Sequence, residues 1–135
     1  MGISPSAVTP ILAFGTGAIN SGTVGGGGGG GAGVTTFADF AVTKLLDAFS
    51  VPLLQAAATG THIQQVKIEV FEIGSPTPFA TYSLLDALIT SDTIGSSVSQ
   101  ITENVSFTYT KIATSITLGG VTFDACFDRV NNTSC

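Results

Sequence analysis

The chain has 135 residues, enough for one domain around one core. Apolar residues make up an ordinary 44%, but charged residues only 10%, against a usual quarter, so large areas can be buried against another protein without stranding many ions. The net charge is −5, and the only cations are Lys44, Lys67, Lys111 and Arg129; four scattered cations argue against nucleic acid and anionic membrane surfaces as partners.

The first stretch, Met1 to Gly33, carries no charge. Pro5, Pro10 and the glycine tract interrupt it, so neither a membrane span nor a secretory signal is expected. Met1-Gly2-Ile3-Ser4-Pro5-Ser6 matches the loose pattern for N-myristoylation, a short and common one. Ile11 to Phe14 reads as a short strand. Gly25 to Gly31 is an unbroken tract that buries no side chain and costs much entropy to order, so it reads as a loop. No GxxxxGK[ST] follows it, which removes a phosphate-binding reading.

The second stretch, Val34 to Leu118, carries the fold. Thr36 to Leu46 reads as a strand, with Phe40 and Val42 on one face and Phe37 on the other. Ser50 is the expected N-cap of a helix of about ten residues, with Pro52 in its first turn and Gly60 ending it. Such a helix is too short to stand alone and must dock a leucine face, and Leu54 is expected under it. From His62 to Glu72, Val66, Ile68 and Val70 alternate with Gln65, Lys67 and Glu69. Gly74 to Pro78 reads as a turn, and Phe79 to Thr90 as a strand with Tyr82 and Leu84 on one side. Asp92 to Gln100 reads as a polar loop. Glu103 to Leu118 is a long strand whose Val105, Phe107 and Tyr109 share a face.

Beyond a Gly119-Gly120 turn, Val121, Phe123, Ala125 and Phe127 alternate with Thr122, Asp124, Cys126 and Asp128. Cys126 and Cys135 can close one C-terminal loop or pair with a neighbouring subunit. The whole reads as mainly β: a β-barrel or sandwich of about six strands with one short α-helix. It forms a single domain over residues 1–135, with the glycine loop at 25–31 and a C-terminal extension at 119–135.

No catalytic set stands out. His62 is the only histidine, and although Ser50, Ser91, Asp47 and Asp86 exist, no GxSxG elbow surrounds a serine. Carboxylates for glycoside chemistry (Asp39, Asp47, Glu69, Glu72, Asp86, Glu103) have no spacing that pairs them. One histidine and two cysteines give no metal spacing. No enzyme, cofactor or metal is expected.

The order of features from Phe37 onward is the most informative. Phe37-Ala38-Asp39-Phe40 with Thr43-Lys44 is followed by Thr59-Gly60 and His62-Ile63, then by Glu103-Asn104-Val105-Ser106-Phe107. This order resembles the hemolysin-coregulated protein (Hcp) family, the tube protein of bacterial type VI secretion. The resemblance covers roughly Ile11 to Ile116 and makes Phe37, Asp39, Phe40, Thr43, Lys44, Thr59, Gly60, His62, Glu103 and Phe107 structural motif positions. It implies a two-sheet barrel related to phage tail-tube proteins. It also implies hexameric rings that stack into a hollow tube, secreted effector proteins as cargo, and export from the bacterial cytoplasm without a signal peptide. Little precedes the position matched by Ile11 to Phe14, which implies an open groove, to be filled by another subunit through strand addition or by the Val121 to Cys135 extension pairing back. A secreted relative that polymerises into a filament by strand exchange, locked by the cysteines, is a second reading. A small secreted enzyme or effector on the same scaffold is a third.

Overall fold

A computed structural model describes residues 8–20 and 35–135. The Met1–Ser6 pattern and the Gly25–Gly31 tract lie outside the described residues. Two strands dominate: β6 (Pro78–Ser96) and β7 (Ile101–Leu118), of 19 and 18 residues. They form one antiparallel hairpin, closed where the Ser97 N–H donates to the Gln100 carbonyl at 2.8 Å. A straight strand of that length would span about 60 Å, against roughly 35 Å for a globule of this size. The hairpin must therefore bend.

It bends where the inward-facing residues change parity. In β6 the buried residues are Ala80 and Leu84, then Ala87 and Ile89; in β7 they are Glu103, Val105, Phe107 and Tyr109, then Ile112. The switch falls at Asp86, whose φ of 50° lies in the left-handed region, which aspartate tolerates better than most residues. The register shifts again between Ile89 and Ser91, a bulge that sharpens the twist.

Bending divides one seven-stranded sheet into two halves. One contains β1 (Ala13–Gly15), β4 (Phe40–Leu45) and the tip half of the hairpin. The other contains β5 (His62–Phe71), the base half of the hairpin and β8 (Val121–Asp128), with β9 (Thr133–Ser134) beside β8. The halves pack through Phe40 and Tyr82, whose ring centroids are 5.6 Å apart, and through Phe14 and Tyr82 at 5.3 Å. A second sheet of β2 (Ala18–Asn20) and β3 (Thr35–Phe37) lays Phe37 against Phe127 at 4.9 Å. Phe40, Leu84, Ala87 and Val105 form the centre of a single core. The expected mainly-β sandwich with one helix is the observed architecture.

Several boundaries differ from the sequence reading. Thr36–Leu46 is not one strand: the chain breaks at Ala38-Asp39, so that β3 joins the small sheet and β4 the large one. The expected polar loop at Asp92–Gln100 is strand as far as Ser96, because residues 91–96 find partners on β7. Phe49, not Ser50, is the N-cap of α1 (Ser50–Thr59). Ser50 is buried, and Asp47 does the local capping by accepting the Phe49 N–H at 2.9 Å. Leu53 and Ala56 face β6, with Leu53 5% exposed, whereas Leu54 is 47% exposed. The docking residue is therefore Leu53. Gly60 closes the helix as expected, with φ 66° and its N–H bonded to the Ala56 carbonyl. β1 pairs with β4 over Ala41–Thr43, occupying that edge.

Candidate assembly surface

A weakly charged protein offers partners its backbone edges and its exposed apolar side chains. Among the described residues β5 has β6 on one side only, so its other edge presents unpaired backbone groups. Many of the exposed apolar residues described lie at the two ends of the β6–β7 hairpin, while others, such as Ile19, Val51, Leu54 and Val130, are scattered elsewhere. At one end the β5–β6 and β7–β8 connections carry Phe71, Ile73, Leu118, Val121 and Phe123. At the other lie Ile94, Val98 and Ile101, with Leu45 one register position from Glu103 and Leu46 bonded to the Ile101 carbonyl. Opposite ends of one strand pair thus carry two different apolar surfaces.

Between these ends the motif residues hold the scaffold. Phe40 and Phe107 sit opposite each other on β4 and β7 in the core. Phe37 packs its ring 6.2 Å from Tyr109, and the Arg129 guanidinium lies 4.9 Å over Tyr109. Arg129 Nη1 donates to Thr108 Oγ1 and to the Tyr109 carbonyl. Asp39 accepts from Thr90 Oγ1 at 2.6 Å, which ties the β3–β4 break to the bulge in β6. Thr43 Oγ1 donates to Asn104 Oδ1 at 2.8 Å across the β4–β7 pair. Thr59 Oγ1 donates to the Gln55 carbonyl within α1, beside the Gly60 stop.

Lys44 and Glu103 are directly opposed on β4 and β7 and are 1% and 0% exposed. Nζ of Lys44 donates to Glu103 Oε1 (3.2 Å), Asp47 Oδ1 (2.8 Å), Ser50 Oγ (3.2 Å) and the Leu45 carbonyl (2.9 Å). This cation joins β4, β7 and the start of α1, and so fixes where the helix begins. Burial acts to raise the Asp47 pKa, but hydrogen bonds from Lys44, Thr9 and Phe49 bring it below the usual carboxylate value.

His62 stands at the corner between helix and strand, where the sequence places it. Nδ1 lies 2.8 Å from Asp86 Oδ1, and Thr110 Oγ1 donates to Asp86 Oδ2 at 3.0 Å. The His62 hydrogen bond, then that of Thr110, lowers the Asp86 pKa. These contacts hold the left-handed Asp86 at the bend. Both side chains are well exposed, and Ser50 is committed to Lys44, so this serine does not complete a triad with His62. Cys126 and Cys135 form a disulfide within the chain, their Cα atoms 5.1 Å apart. Among the described residues no group of three or more His, Cys, Asp or Glu could hold a metal, and no helix is long and apolar enough to cross a membrane. The sequence reading missed Asp92, which it placed in a loop; it lies beside the buried Glu103.

Residues 8–115 match the family described as the type VI secretion system effector, Hcp. The chain belongs to the Hcp family. The match includes every motif position named above and the Lys44–Glu103 pair, and ends before β8. Solved structures agree on the fold. Hcp1 from Salmonella typhimurium superposes with a TM-score of 0.79 at 18% identity, over 93% of this chain and 83% of that one. A protein described as a type six secretion system protein gives 0.80 at 21% identity, over 93% and 85%. A type VI secretion system effector from Yersinia pestis gives 0.73 at 20% identity, over 88% and 82%. Comparison with curated protein sequences finds no match. Family membership makes this a type VI secretion protein of the tube and effector kind.

Proposed function

We propose that this Hcp chain is a structural subunit that closes into rings with copies of itself, and that the rings stack into a hollow tube carrying effector proteins out of the cell. The observation that supports this reading best is the pair of unlike apolar surfaces at opposite ends of the β6–β7 hairpin. A head-to-tail stack needs two different complementary faces, one at each end of the repeating unit. The open β5 edge offers a lateral contact, and the low charge density lets these surfaces be buried cheaply. In this reading residues 1–135 are one domain, and residues 119–135 are a C-terminal addition. Phe37, Asp39, Phe40, Thr43, Lys44, Thr59, Gly60, His62, Glu103 and Phe107 then act through the scaffold, and no catalytic step is assigned.

Sedimentation velocity and negative-stain microscopy at rising concentration, in reducing and oxidising buffer, test the proposal. Closed rings with a central opening are the expected species. A strictly monomeric protein, or thin fibres without a lumen, would overturn it. Phe123→Glu and Val98→Glu each block one end, so each should give single rings, and preassembled rings of the two variants, when mixed, should form pairs and nothing longer. Long stacks from either variant alone would remove the two-faced arrangement.

A further inference from the structure

Three carboxylate oxygens in the buried region have no hydrogen-bond donor: Asp92 Oδ1, Asp92 Oδ2 and Glu103 Oε2, all shut off from solvent. A buried acceptor with no donor is costly, and a buried anion more so. Lys44 supplies the local positive charge, but its donors are directed at Glu103 Oε1, Asp47, Ser50 and the Leu45 carbonyl. Asp92 is paired with Val105 in the β6–β7 register, one same-face position from Ile94, which is opposite Glu103. The two carboxyl groups are therefore diagonal neighbours on one face. The groups facing Asp92 are Glu103 from β7 and Lys44 from β4.

We propose that Asp92 and Glu103 share one proton, and that this proton locks the section of the β6–β7 hairpin that leads to its apolar tip. A protonated Asp92 donates from one oxygen to Glu103 Oε2, which satisfies two atoms otherwise left bare. Glu103 keeps its charge and its bond to Lys44. Burial is the main force favouring the protonated form; the hydrogen bond and charge of Glu103 add to it and Lys44 opposes it, and the Asp92 pKa is pushed up to about 7. When the proton leaves, two buried anions face one cation. Strands 92–96 and 101–105 then lose their hold on each other, and with it the fixed placement of Ile94, Val98 and Ile101.

The test uses the full chain carrying ¹³C at its aspartate and glutamate carboxyl groups. The Asp92 carboxyl should titrate near the value of about 7 to which burial and its neighbours push it. Amide exchange in residues 92–96 and 101–105, corrected for its intrinsic pH dependence, should quicken about tenfold between pH 5.5 and 8.5. Asp92→Asn supplies a permanent donor and should abolish that change. Glu103→Gln donates to Asp92 while still accepting from Lys44, and should lower the Asp92 midpoint, burial still holding it above that of an ordinary aspartate. An Asp92 midpoint near 4 in the wild-type chain overturns the proposal. So does a midpoint that moves with Ca²⁺ or Na⁺ at fixed ionic strength, because the bare oxygens would then hold a cation.

Discussion

Adjacent leucines in α1 offer a test in which chemistry is held constant and only burial changes. Leu53 is 5% exposed and packs toward β6, whereas Leu54 is 47% exposed. Truncating either to alanine changes helix propensity slightly and equally. At Leu53 the loss has two parts. Three buried carbons at about 0.8 kcal/mol each give about 2.4 kcal/mol of transfer free energy. The void left beneath the helix adds to this, in a series where Leu→Ala costs about 3–5 kcal/mol. A ten-residue helix on a sheet can settle inward, so a total of about 3 kcal/mol is expected. At Leu54, about half the side chain already meets water, and about 1 kcal/mol or less is expected. Urea unfolding followed by circular dichroism, at one fixed protein concentration, reads both. Equal costs would refute the orientation of α1, and a larger cost at Leu54 would show that its outer face is covered in the assembled protein.

Four further outcomes are expected. Lys44→Met should cost about 3–5 kcal/mol by chemical denaturation, because it leaves Glu103 buried without its cation; a neutral result would show that the ion pair does not position α1. Stability should peak between about pH 4 and neutral. Asp92, with its folded pKa above its unfolded value, holds its proton more tightly when folded, so its contribution is full below about pH 4 and is lost as pH rises toward 7. Asp47, Asp86 and Asp128 have lowered values and lose their contributions only in acid, so stability that rises steadily from pH 5 to 8 in thermal melts would contradict this balance. Cys135→Ser should cost at most about 2.6 kcal/mol, the chain-entropy value for so short a loop, and non-reducing gels of the wild-type chain should show no covalent multimers. Deleting Gly25–Gly31 should leave the melting temperature nearly unchanged. Asn20 and Thr35 are paired neighbours, and the shortened connection still exceeds the two residues a tight hairpin needs.

Where one element's own residues specify it, the sequence was legible. The alternation of Val66, Ile68 and Val70 with Gln65, Lys67 and Glu69 placed β5, and only the members of the first set are withdrawn from solvent. Gly60 marked the end of α1 because only a left-handed residue fits there. The order of the Phe37–Lys44, Thr59–Ile63 and Glu103–Phe107 segments pointed to the Hcp family, which the match over residues 8–115 shows. Asp92–Ser96 was unreadable as strand because Asp, Thr, Gly and Ser resemble a loop until β7 supplies their partners.

Local pattern therefore determined the strands with strong alternation, the helix and its stop, and the family. The contact between strands decided the rest. Asp86 turns the hairpin's inward face over, Leu53 rather than Leu54 meets β6, and Asp92 comes to rest beside Glu103. The Leu53 contact depends on how α1 docks on a strand later in the chain, and the other two depend on the β6–β7 register, where a one-residue slip sends every side chain to the opposite face.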